Sequence, residues 1–327
     1  MSENVSTDIL IVGAGPVGLF GAYCAGFRGL RTVLVDAQPQ CGGQITALYP
    51  GKEIRDIAAV PGAPGRDVVA ALEEQADAYG PEYLLGRQAV GLARASGGRP
   101  QVTLSEGTTV DAGAVLLTAG IGAFTPRLLP AGEEFLGRGL SYFVPEPKEH
   151  AGQDVVVVGG GDSAVDRALA LHPIARSVTL VHRRGTFRAH AASVRQLYDS
   201  GVEVVTGAQV QALESDERLR RVRLRHEREE QLREVKADAV VAALGFVGDL
   251  GPLADWGLRL ERRTIVVDTR MRTTVDRVCA AGDITAYPGK IRLMSVGFGE
   301  VATALNNAAV ALDPAAKLFP GHSSEAA

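Results

Sequence analysis

The sequence predicts an α/β protein built from two three-layer ββα modules. An apolar, β-branched stretch that leads through a glycine-rich turn into an alanine-rich stretch occurs twice, with its turn starting at Gly13 and again at Gly159. Each copy continues into strand-like alternation, over residues 88–115 and 202–241. A third segment, 277–284, has no counterpart in this repeat. The chain is therefore expected to hold two copies of one module, followed by one more strand and helix.

The glycine-rich turns are the first candidate sites. The motif residues are Gly13, Gly15, Val17 and Gly18 in the first copy, and Gly159, Gly161, Asp162 and Ser163 in the second. In such a motif the first glycine permits the tight turn, the second lets the backbone approach a pyrophosphate, and the third position needs a small residue, which Ala164 supplies in the second copy. The pyrophosphate lies over N–H groups at the start of the helix. Both modules are therefore predicted to be Rossmann-like dinucleotide-binding domains.

The residues that end the next strand differ between the two copies. Asp36 and His182 stand at the same distance from the first glycine of their motifs. A carboxylate at this place accepts hydrogen bonds from an adenosine ribose and repels a 2′-phosphate, so the first module is expected to take FAD or NAD. His182, Arg183 and Arg184, with Arg188 beyond them, offer donors to a 2′-phosphate, so the second is expected to take NADPH. The alternative is that these are solvated loop cations.

The remaining elements follow from periodicity and turn residues. The predicted elements are a Gly/Pro-rich excursion over 40–65, a helix over 67–79, a three-stranded meander over 88–115, a helix over 191–200, a meander over 202–241, with the basic run 217–225 as a solvated strand face, and a helix over 299–312. The segment 277–284 ends in Gly-Asp, which can aim Asp283 at a ligand hydroxyl. By itself the tetrapeptide Ala-Ala-Gly-Asp, residues 280–283, is usually a turn. Together with the two glycine motifs it indicates a ligand site.

Composition excludes several other classes of protein. With 327 residues and 46% apolar content, the chain is long enough for two domains. A net charge of −4 gives no basic field for nucleic acid, and no apolar stretch is long enough to cross a membrane. The short polar start, residues 1–7, leaves no room for a secretory signal, so a cytoplasmic location is expected. The six histidines show no metal-ligand spacing, so no metal is expected.

On these motifs the chain resembles the two-dinucleotide flavoproteins of the thioredoxin-reductase architecture over nearly its whole length. The resemblance implies a discontinuous FAD-binding domain, residues 1–118 and 247–327, into which an NADPH-binding domain, residues 119–246, is inserted. It also implies that Asp36 binds the adenosine ribose and that Asp283 binds the ribityl chain of the flavin. The hinges would lie near residues 118 and 246, where strands end in small residues.

The cysteines depart from the thioredoxin-reductase pattern. The place of its C-x-x-C pair reads Ser-Tyr-Phe-Val-Pro over 141–145, and the place of the lipoamide-dehydrogenase pair holds Cys41 alone. The chain instead resembles ferredoxin/flavodoxin–NADP⁺ reductases built on the same plan. The segments that carry this resemblance are 42–50, 118–124, 142–144, 159–166 and 317–324.

This second resemblance implies further cofactor contacts. Those to FAD are Gln44 and Val90, Tyr49 against one isoalloxazine face with Phe124 nearby, and His322 and Ser324 from the other subunit of a homodimer against the opposite face. Tyr49 could equally be a packing aromatic, and His322 part of a mobile terminus. The cofactors, FAD and NADPH, carry the chemistry, and the electrons pass to or from ferredoxin or flavodoxin. No catalytic acid, base or nucleophile is therefore expected.

Two other functions remain open from the sequence. One is a thioredoxin-reductase-like enzyme that reduces a quinone or a disulfide partner without a dithiol of its own. The other is a non-catalytic homologue that binds both cofactors to sense their redox state. Lys290 and Arg292 are candidates for docking a small acidic partner, or serve surface solubility.

Overall fold

The computed structural model describes residues 4–95, 97–144, 147–215, 218–226 and 232–322, apart from the side chains of 123 and 124. It divides into two compact units. The first unit consists of residues 1–123 and 248–327, and the second of residues 124–247. The helices and strands in chain order are β1 (Asn4–Val12), α1 (Pro16–Phe27), β2 (Thr32–Asp36), α2 (Gln44–Leu48), β3 (Glu53–Ile54), β4 (Ala63–Pro64), α3 (Gly65–Asp77), β5 (Glu82–Leu85), β6 (Ala89–Arg94), β7 (Pro100–Leu104), β8 (Thr109–Leu117), β9 (Ala123–Pro126), β10 (Leu140–Ser141), β11 (Asp154–Val158), α4 (Asp162–Leu171), β12 (Ser177–His182), α5 (Ala191–Asp199), β13 (Glu203–Thr206), β14 (Ala208–Ser215), β15 (Leu219–His226), β16 (Leu232–Lys236), β17 (Ala239–Ala242), β18 (Phe246–Asp249), β19 (Leu260–Glu261), β20 (Thr264–Val266), β21 (Val278–Ala280), β22 (Thr285–Ala286) and α6 (Met294–Leu312). Short 3₁₀ turns cover Glu133–Phe135, Pro147–His150 and Gly251–Asp255.

The first unit is built on a seven-stranded sheet. Its strands run in the order β5-β2-β1-β8-β7-β6, and β21 pairs with the carboxyl half of β8. The strands β5, β2, β1, β8 and β21 are parallel, whereas β8, β7 and β6 form the predicted antiparallel meander. Parallel strands are covered on both faces, which is why the carboxyl halves of β1 and β8 are apolar without alternation. Their carboxyl ends meet at one edge, where ligands bind in open α/β sheets.

Two helices pack closely because small residues line their contact. In α1 a Cβ on Gly21 would lie 3.4 Å from Val301 of α6, and in α6 a Cβ on Gly297 would lie 2.6 Å from Val17 of α1. The helix α6 begins at Met294, five residues before the predicted start at 299. The first turn includes Gly297, which has to lie against α1. The prediction began the helix at Gly299 and left Gly297 outside it.

The second unit repeats the plan around a five-stranded parallel sheet in the order β10-β17-β11-β12-β13. The predicted meander over 202–241 is divided in the structure. Its first strand, β13, and its last, β17, belong to the parallel sheet, and only β14, β15 and β16 form an antiparallel sheet. The basic strand β15 buries Leu219, Val222 and Leu224, while its arginines face outward, as the alternation predicts.

The chain passes between the units twice, through β9 and β18. Within the described ranges, no helix combines the length and the apolar composition that crossing a bilayer requires.

Candidate functional site

The first glycine turn connects β1 to α1. Gly13 has a φ of +113°, and a Cβ there would lie 2.6 Å from the carbonyl oxygen of Thr118. A Cβ on Gly18 would lie 1.8 Å from the oxygen of Gly13. By contrast, a Cβ on Gly15 would have no atom within 4 Å. The turn is thus closed toward the sheet and open at Gly15, which is where a pyrophosphate can approach the backbone.

Val17 has a packing role that the motif does not reveal. Its side chain contacts the positions where Cβ atoms of Gly282 and Gly297 would lie. The helix start is thereby fixed against the Gly-Asp segment and against α6. Val17 can offer a ligand only its backbone N–H, which lies in the first turn of α1, where N–H groups have no partner within the helix.

The carboxylate of Asp36 is held beside the first turn. It accepts hydrogen bonds from the N–H groups of Ala14, at 2.7 Å, and Gln38, at 2.8 Å. Burial raises the pKa of Asp36, and these two hydrogen bonds oppose that rise. A carboxylate has about four acceptor positions, so two remain for hydroxyl groups of a ligand. This arrangement fits a ribose diol and repels a phosphate.

The loop that carries Gln44 and Tyr49 is attached to the same turn. The N–H of Gly42 donates to the oxygen of Ala14 at 2.8 Å. Gln44 opens α2, and its Nε2 lies 3.2 Å from where a Cβ on Gly120 would be. Tyr49 ends α2 half-buried, and burial raises its pKa, with smaller contributions from the Asp283 and Asp56 charges. Tyr49 and Asp283 therefore lie in one electrostatic environment.

Asp283 follows β21 at the same edge of the sheet. The preceding Gly282 has a φ of +85° and donates its N–H to Glu300 at 2.7 Å. Burial raises the pKa of the Asp283 carboxyl, whereas the charges of Lys290 and Arg292 lower it. Asp36, which is predicted to bind the ribose, and Asp283, which is predicted to bind the ribityl chain, thus both lie near the start of α1.

Val90 lies at a β-bulge. Ala89 pairs with Leu104 and Gly91 with Thr103, so Val90 between them has no paired residue on β7. Val90 is 36% exposed. The bulged residue of a strand is left unpaired. The loop before β6 is attached to the end of β2, because the backbone N–H of Arg87 donates to the main-chain carbonyl oxygen of Asp36 at 2.9 Å. Val90 is therefore free to contact a ligand, and that contact stays a prediction.

The remaining flavin residues are at the ends of the described chain. Phe124 lies on β9, and its side chain is outside the described residues. His322 is exposed and meets the ring of Phe319 edge-on at 5.1 Å, whereas Ser324 is outside the described residues. Their predicted contacts with flavin remain predictions.

The second glycine turn connects β11 to α4. A Cβ on Gly159 would lie 2.4 Å from the oxygen of Ala243, whereas one on Gly161 would have no atom within 4 Å. This repeats the closed and open sides of the first turn. Asp162 begins α4, with Ser163 beside it, and its Oδ1 accepts the N–H of His190 at 2.8 Å. Asp162 thus ties the basic loop to the start of the helix.

A cavity of about 530 Å³ lies over this turn. Its lining includes the glycine turn together with Arg183, Arg184 and Arg188. All three arginines are exposed, and none of them pairs with a carboxylate in the part of the chain that the structure describes. The backbone N–H of Arg188 donates to the carbonyl oxygen of Gly160 at 2.8 Å, and this bond holds the basic loop against the turn. The cavity thus offers helix-start N–H groups and three guanidinium groups to a polyanionic ligand.

His182 has a different position from its arginine neighbours. It is buried, its Nε2 lies 3.1 Å from the oxygen of Thr186, and its ring stacks on Phe187 at 5.1 Å. Burial lowers the pKa of His182; the Thr186 hydrogen bond opposes this, and the nearby arginines add to it. The ring is therefore neutral at neutral pH, and the geometry gives it a part in shaping the cavity wall, rather than the charged-donor role that the sequence predicts.

Lys290 is not a surface residue. Its ammonium pairs with Glu300 of α6, and the two side chains are only 8% and 4% exposed. The expectation that Lys290 serves docking or solubility is therefore wrong, whereas Arg292 is exposed. Sequence reasoning also missed Glu300, whose only signal is that it is the one charged residue of α6.

The cysteines are not arranged for thiol chemistry. Cys24, Cys41 and Cys279 are free, and burial, as the first cause, raises the pKa of each to about 12. Thiols with such pKa values are protonated at neutral pH and are poor nucleophiles. Among the described residues, no group of His, Cys, Asp or Glu is placed to hold a metal ion.

Comparison with known proteins agrees with this geometry. The profile of the family described as pyridine nucleotide-disulphide oxidoreductase matches residues 7–310. A ferredoxin–NADP reductase of Saccharopolyspora erythraea is 58% identical over 97% of this chain and 97% of its own length. One of Thermus thermophilus is 48% identical over 98% of this chain and 97% of its own.

Solved structures show the same fold. Thioredoxin reductase of T. acidophilum superposes with a TM-score of 0.80, at 23% identity, over 94% of this chain and 98% of its own. The fold is therefore that of two Rossmann-like dinucleotide-binding domains, as predicted. This chain belongs to the pyridine nucleotide-disulphide oxidoreductase family, and within that family to the ferredoxin–NADP reductases built on the thioredoxin-reductase plan.

Proposed function

We propose that this chain transfers electrons between NADP(H) and ferredoxin through FAD, with FAD in the first unit and NADP(H) in the second. The observation that carries the proposal is the contrast between the two turns. The first is closed by the carboxylate of Asp36, with acceptor positions left for a ribose. The second opens into a cavity lined by three arginines that lack carboxylate partners in the described chain.

The residues of the first unit fit FAD. The open side of Gly15 and the N–H groups at the start of α1 can take the pyrophosphate, and Asp36 the adenosine ribose. Asp283 can take hydroxyl groups of the ribityl chain, and Tyr49 can lie against the isoalloxazine. When bound, FAD accepts a hydride from NADPH and returns the two electrons one at a time.

The residues of the second unit fit NADPH. Gly161 leaves room for the pyrophosphate over the start of α4, and the guanidinium groups of Arg183, Arg184 and Arg188 can bind the 2′-phosphate. NADH lacks that phosphate, so these groups favour NADPH over NADH. His182, neutral and packed, keeps the basic loop in place.

The protein supplies binding and orientation, and no residue has to act as an acid, a base or a nucleophile. One NADPH and two oxidised ferredoxins give one NADP⁺, one proton and two reduced ferredoxins, which balances the two electrons. The three free thiols supply no dithiol relay, and this observation speaks against reduction of a disulfide partner. The relatives' names support ferredoxin as the partner.

The resemblance further suggests flavodoxin as a second acceptor, a homodimer and a location in the cytoplasm, and we include these in the proposal. The exposed side chains of Leu318 and Phe319 support the homodimer. Arg28 holds this segment by donating to the oxygens of Lys317 and Leu318. A second copy could cover the apolar pair and receive His322. Sedimentation of the yellow protein as a monomer would contradict the homodimer.

A steady-state assay tests the proposed function. The purified protein, loaded with FAD, is mixed with NADPH and one acceptor at a time: ferredoxin, flavodoxin, thioredoxin or a quinone. We expect rapid reduction of ferredoxin and none of thioredoxin. A protein that reduces only a quinone, or that binds both cofactors without turnover, would contradict the proposal.

A further inference from the structure

A buried cluster of polar groups lies directly behind the Gly-Asp turn. At its centre is Glu300 of α6, which is 5% exposed. Its Oε2 accepts the N–H of Gly282 at 2.7 Å, and its Oε1 accepts the hydroxyl of Tyr287 at 2.5 Å. The ammonium of Lys290 donates to the same Oε1 and lies 5.5 Å from the centre of the Tyr287 ring. Every polar group of the cluster therefore has a partner.

Such a cluster is a costly way to stabilise a protein. Two buried charges lose their hydration, and a pair of this kind is often no more stabilising than apolar residues of the same volume. The Gly282 N–H alone could be satisfied by a neutral acceptor. The presence of a full ion pair at this place therefore calls for an electrostatic explanation rather than a purely structural one.

The two charges lie close to the residue assigned to the flavin. Asp283 is bonded to Gly282, and its pKa responds to Lys290, Arg292 and Glu300. The charge of Asp283 in turn raises the pKa of Tyr49, the residue assigned to the flavin face. Among the described groups acting on Asp283, Lys290 and Glu300 are buried, whereas Arg292 is exposed, so solvent screens the guanidinium more strongly.

We propose that the Lys290–Glu300 pair is a positioning device that fixes the Gly282–Asp283 turn, and that its two members bias the reduction potential of the flavin in opposite directions. The proposal rests on the proposed FAD site in the first unit. The pair is neutral as a whole, so each member offsets the effect of the other. Reduction adds negative charge to the flavin, which a cation favours and an anion opposes.

The test is the reduction potential of the bound flavin, measured by equilibrium titration against reference dyes. Lys290→Met leaves the Glu300 carboxylate, and the potential should fall below that of the wild type. Glu300→Gln leaves the ammonium and keeps an acceptor for the Gly282 N–H, and the potential should rise. The double variant should return close to the wild-type value, and Lys290→Arg should not depart from it.

Two controls make the result decisive. Arg292→Met removes a cation two residues away at the surface, and should shift the potential less than Lys290→Met. Lys290→Arg, which keeps the cation, is the second control, and its potential should stay near the wild-type value.

The outcomes separate this inference from the proposed function. Shifts of the same sign in both single variants, or no shift in either, would refute the electrostatic role. FAD content and thermal unfolding are recorded for each variant, and Lys290→Arg with Glu300→Gln remains informative if Lys290→Met does not retain flavin. A wild-type protein that binds no FAD would contradict the proposed function itself.

Discussion

The imidazole of His182 occupies the space in which a side chain on Gly160 would begin, because a Cβ there would lie 2.0 Å from its Cε1. The first module solves the same problem differently. Ala14 holds the place of Gly160, and its N–H donates to Asp36, which holds the place of His182. Both modules thus join the turn to the strand end, one through a hydrogen bond and the other through ring packing. Only the second arrangement requires glycine.

Gly160→Ala should destabilise the second unit. The new methyl group would overlap the buried imidazole, which is also bonded to Thr186 and stacked on Phe187. Overpacking of this kind costs about 1–3 kcal/mol. Thermal and urea unfolding measure the loss, and the KM for NADPH should rise because the basic loop is displaced.

Gly161→Ala is the matched control in the same turn. Its methyl group meets no atom within 4 Å, so the free energy of unfolding should stay within about 0.5 kcal/mol of the wild type. The KM for NADPH should nevertheless rise, because the methyl group enters the space assigned to the pyrophosphate. Equal destabilisation by both substitutions would refute the packing role of His182.

Arg183→Ala and Arg184→Ala should each weaken the preference for NADPH over NADH. A hydrogen bond to a charged group contributes about 1.5–3 kcal/mol, so kcat/KM for NADPH should fall about tenfold or more. The value for NADH should hardly change. Arg220→Ala, an exposed arginine of the antiparallel sheet, serves as the control and should alter neither. Equal losses for both coenzymes would show that the arginines do not read the 2′-phosphate.

Asp36→Asn should lower the affinity for FAD by about tenfold or more. The asparagine oxygen can still accept the N–H of Ala14, whereas the charge and the acceptor for the N–H of Gln38 are lost. Titration of the apoprotein with FAD, followed by flavin fluorescence, gives the dissociation constant. Asp8→Asn removes a carboxylate paired with the exposed Arg31 and should leave the constant unchanged. If both variants weakened binding alike, the ribose assignment would be wrong.

The acid stability of the second unit should depend on Asp154. Burial raises the pKa of Asp154, but hydrogen bonds from Lys236, Ser177 and Arg176 lower it by more than burial raises it. The result is a pKa of about 2, below the ordinary value of 3.8. A lowered pKa in the folded state stabilises the fold above the unfolded pKa, and this contribution is lost as the pH falls through the folded value. The loss should therefore occur between about pH 4 and pH 2.

Asp154→Asn tests this assignment. The variant should be less stable at neutral pH by about 1–2 kcal/mol, since Lys236 loses its partner and Arg176 keeps only Asp238, while both side chains stay largely solvated. Its urea unfolding should also change less between pH 4 and pH 2 than that of the wild type. Parallel pH curves for the two proteins would assign the acid transition to other groups.

The two glycine motifs and the contrast between Asp36 and His182 could be found from the sequence, because local spacing determines them. The contact between His182 and Gly160 could not, since it depends on how the end of β12 packs on the turn. The same holds for Glu300, whose partners Gly282, Tyr287 and Lys290 are brought together only by the fold. For this reason the sequence predicted Lys290 at the surface.

Element boundaries failed where tertiary contacts decide. The strand β13 alternates no differently from its successors, yet it pairs in parallel with β12. The start of α6 is extended over Gly297 because Gly297 packs on Val17. Local propensity disfavours a helix at that glycine.

The central claim is that electrons pass from NADPH through the bound flavin to ferredoxin. The most direct test is anaerobic double-mixing stopped flow, in which the yellow protein is first mixed with NADPH or NADH and then with ferredoxin or thioredoxin. We expect fast bleaching of the flavin by NADPH, slow bleaching by NADH, and rapid reoxidation by ferredoxin alone. Bleaching at equal rates by both coenzymes, or a reduced flavin that ferredoxin leaves unoxidised, would contradict the account.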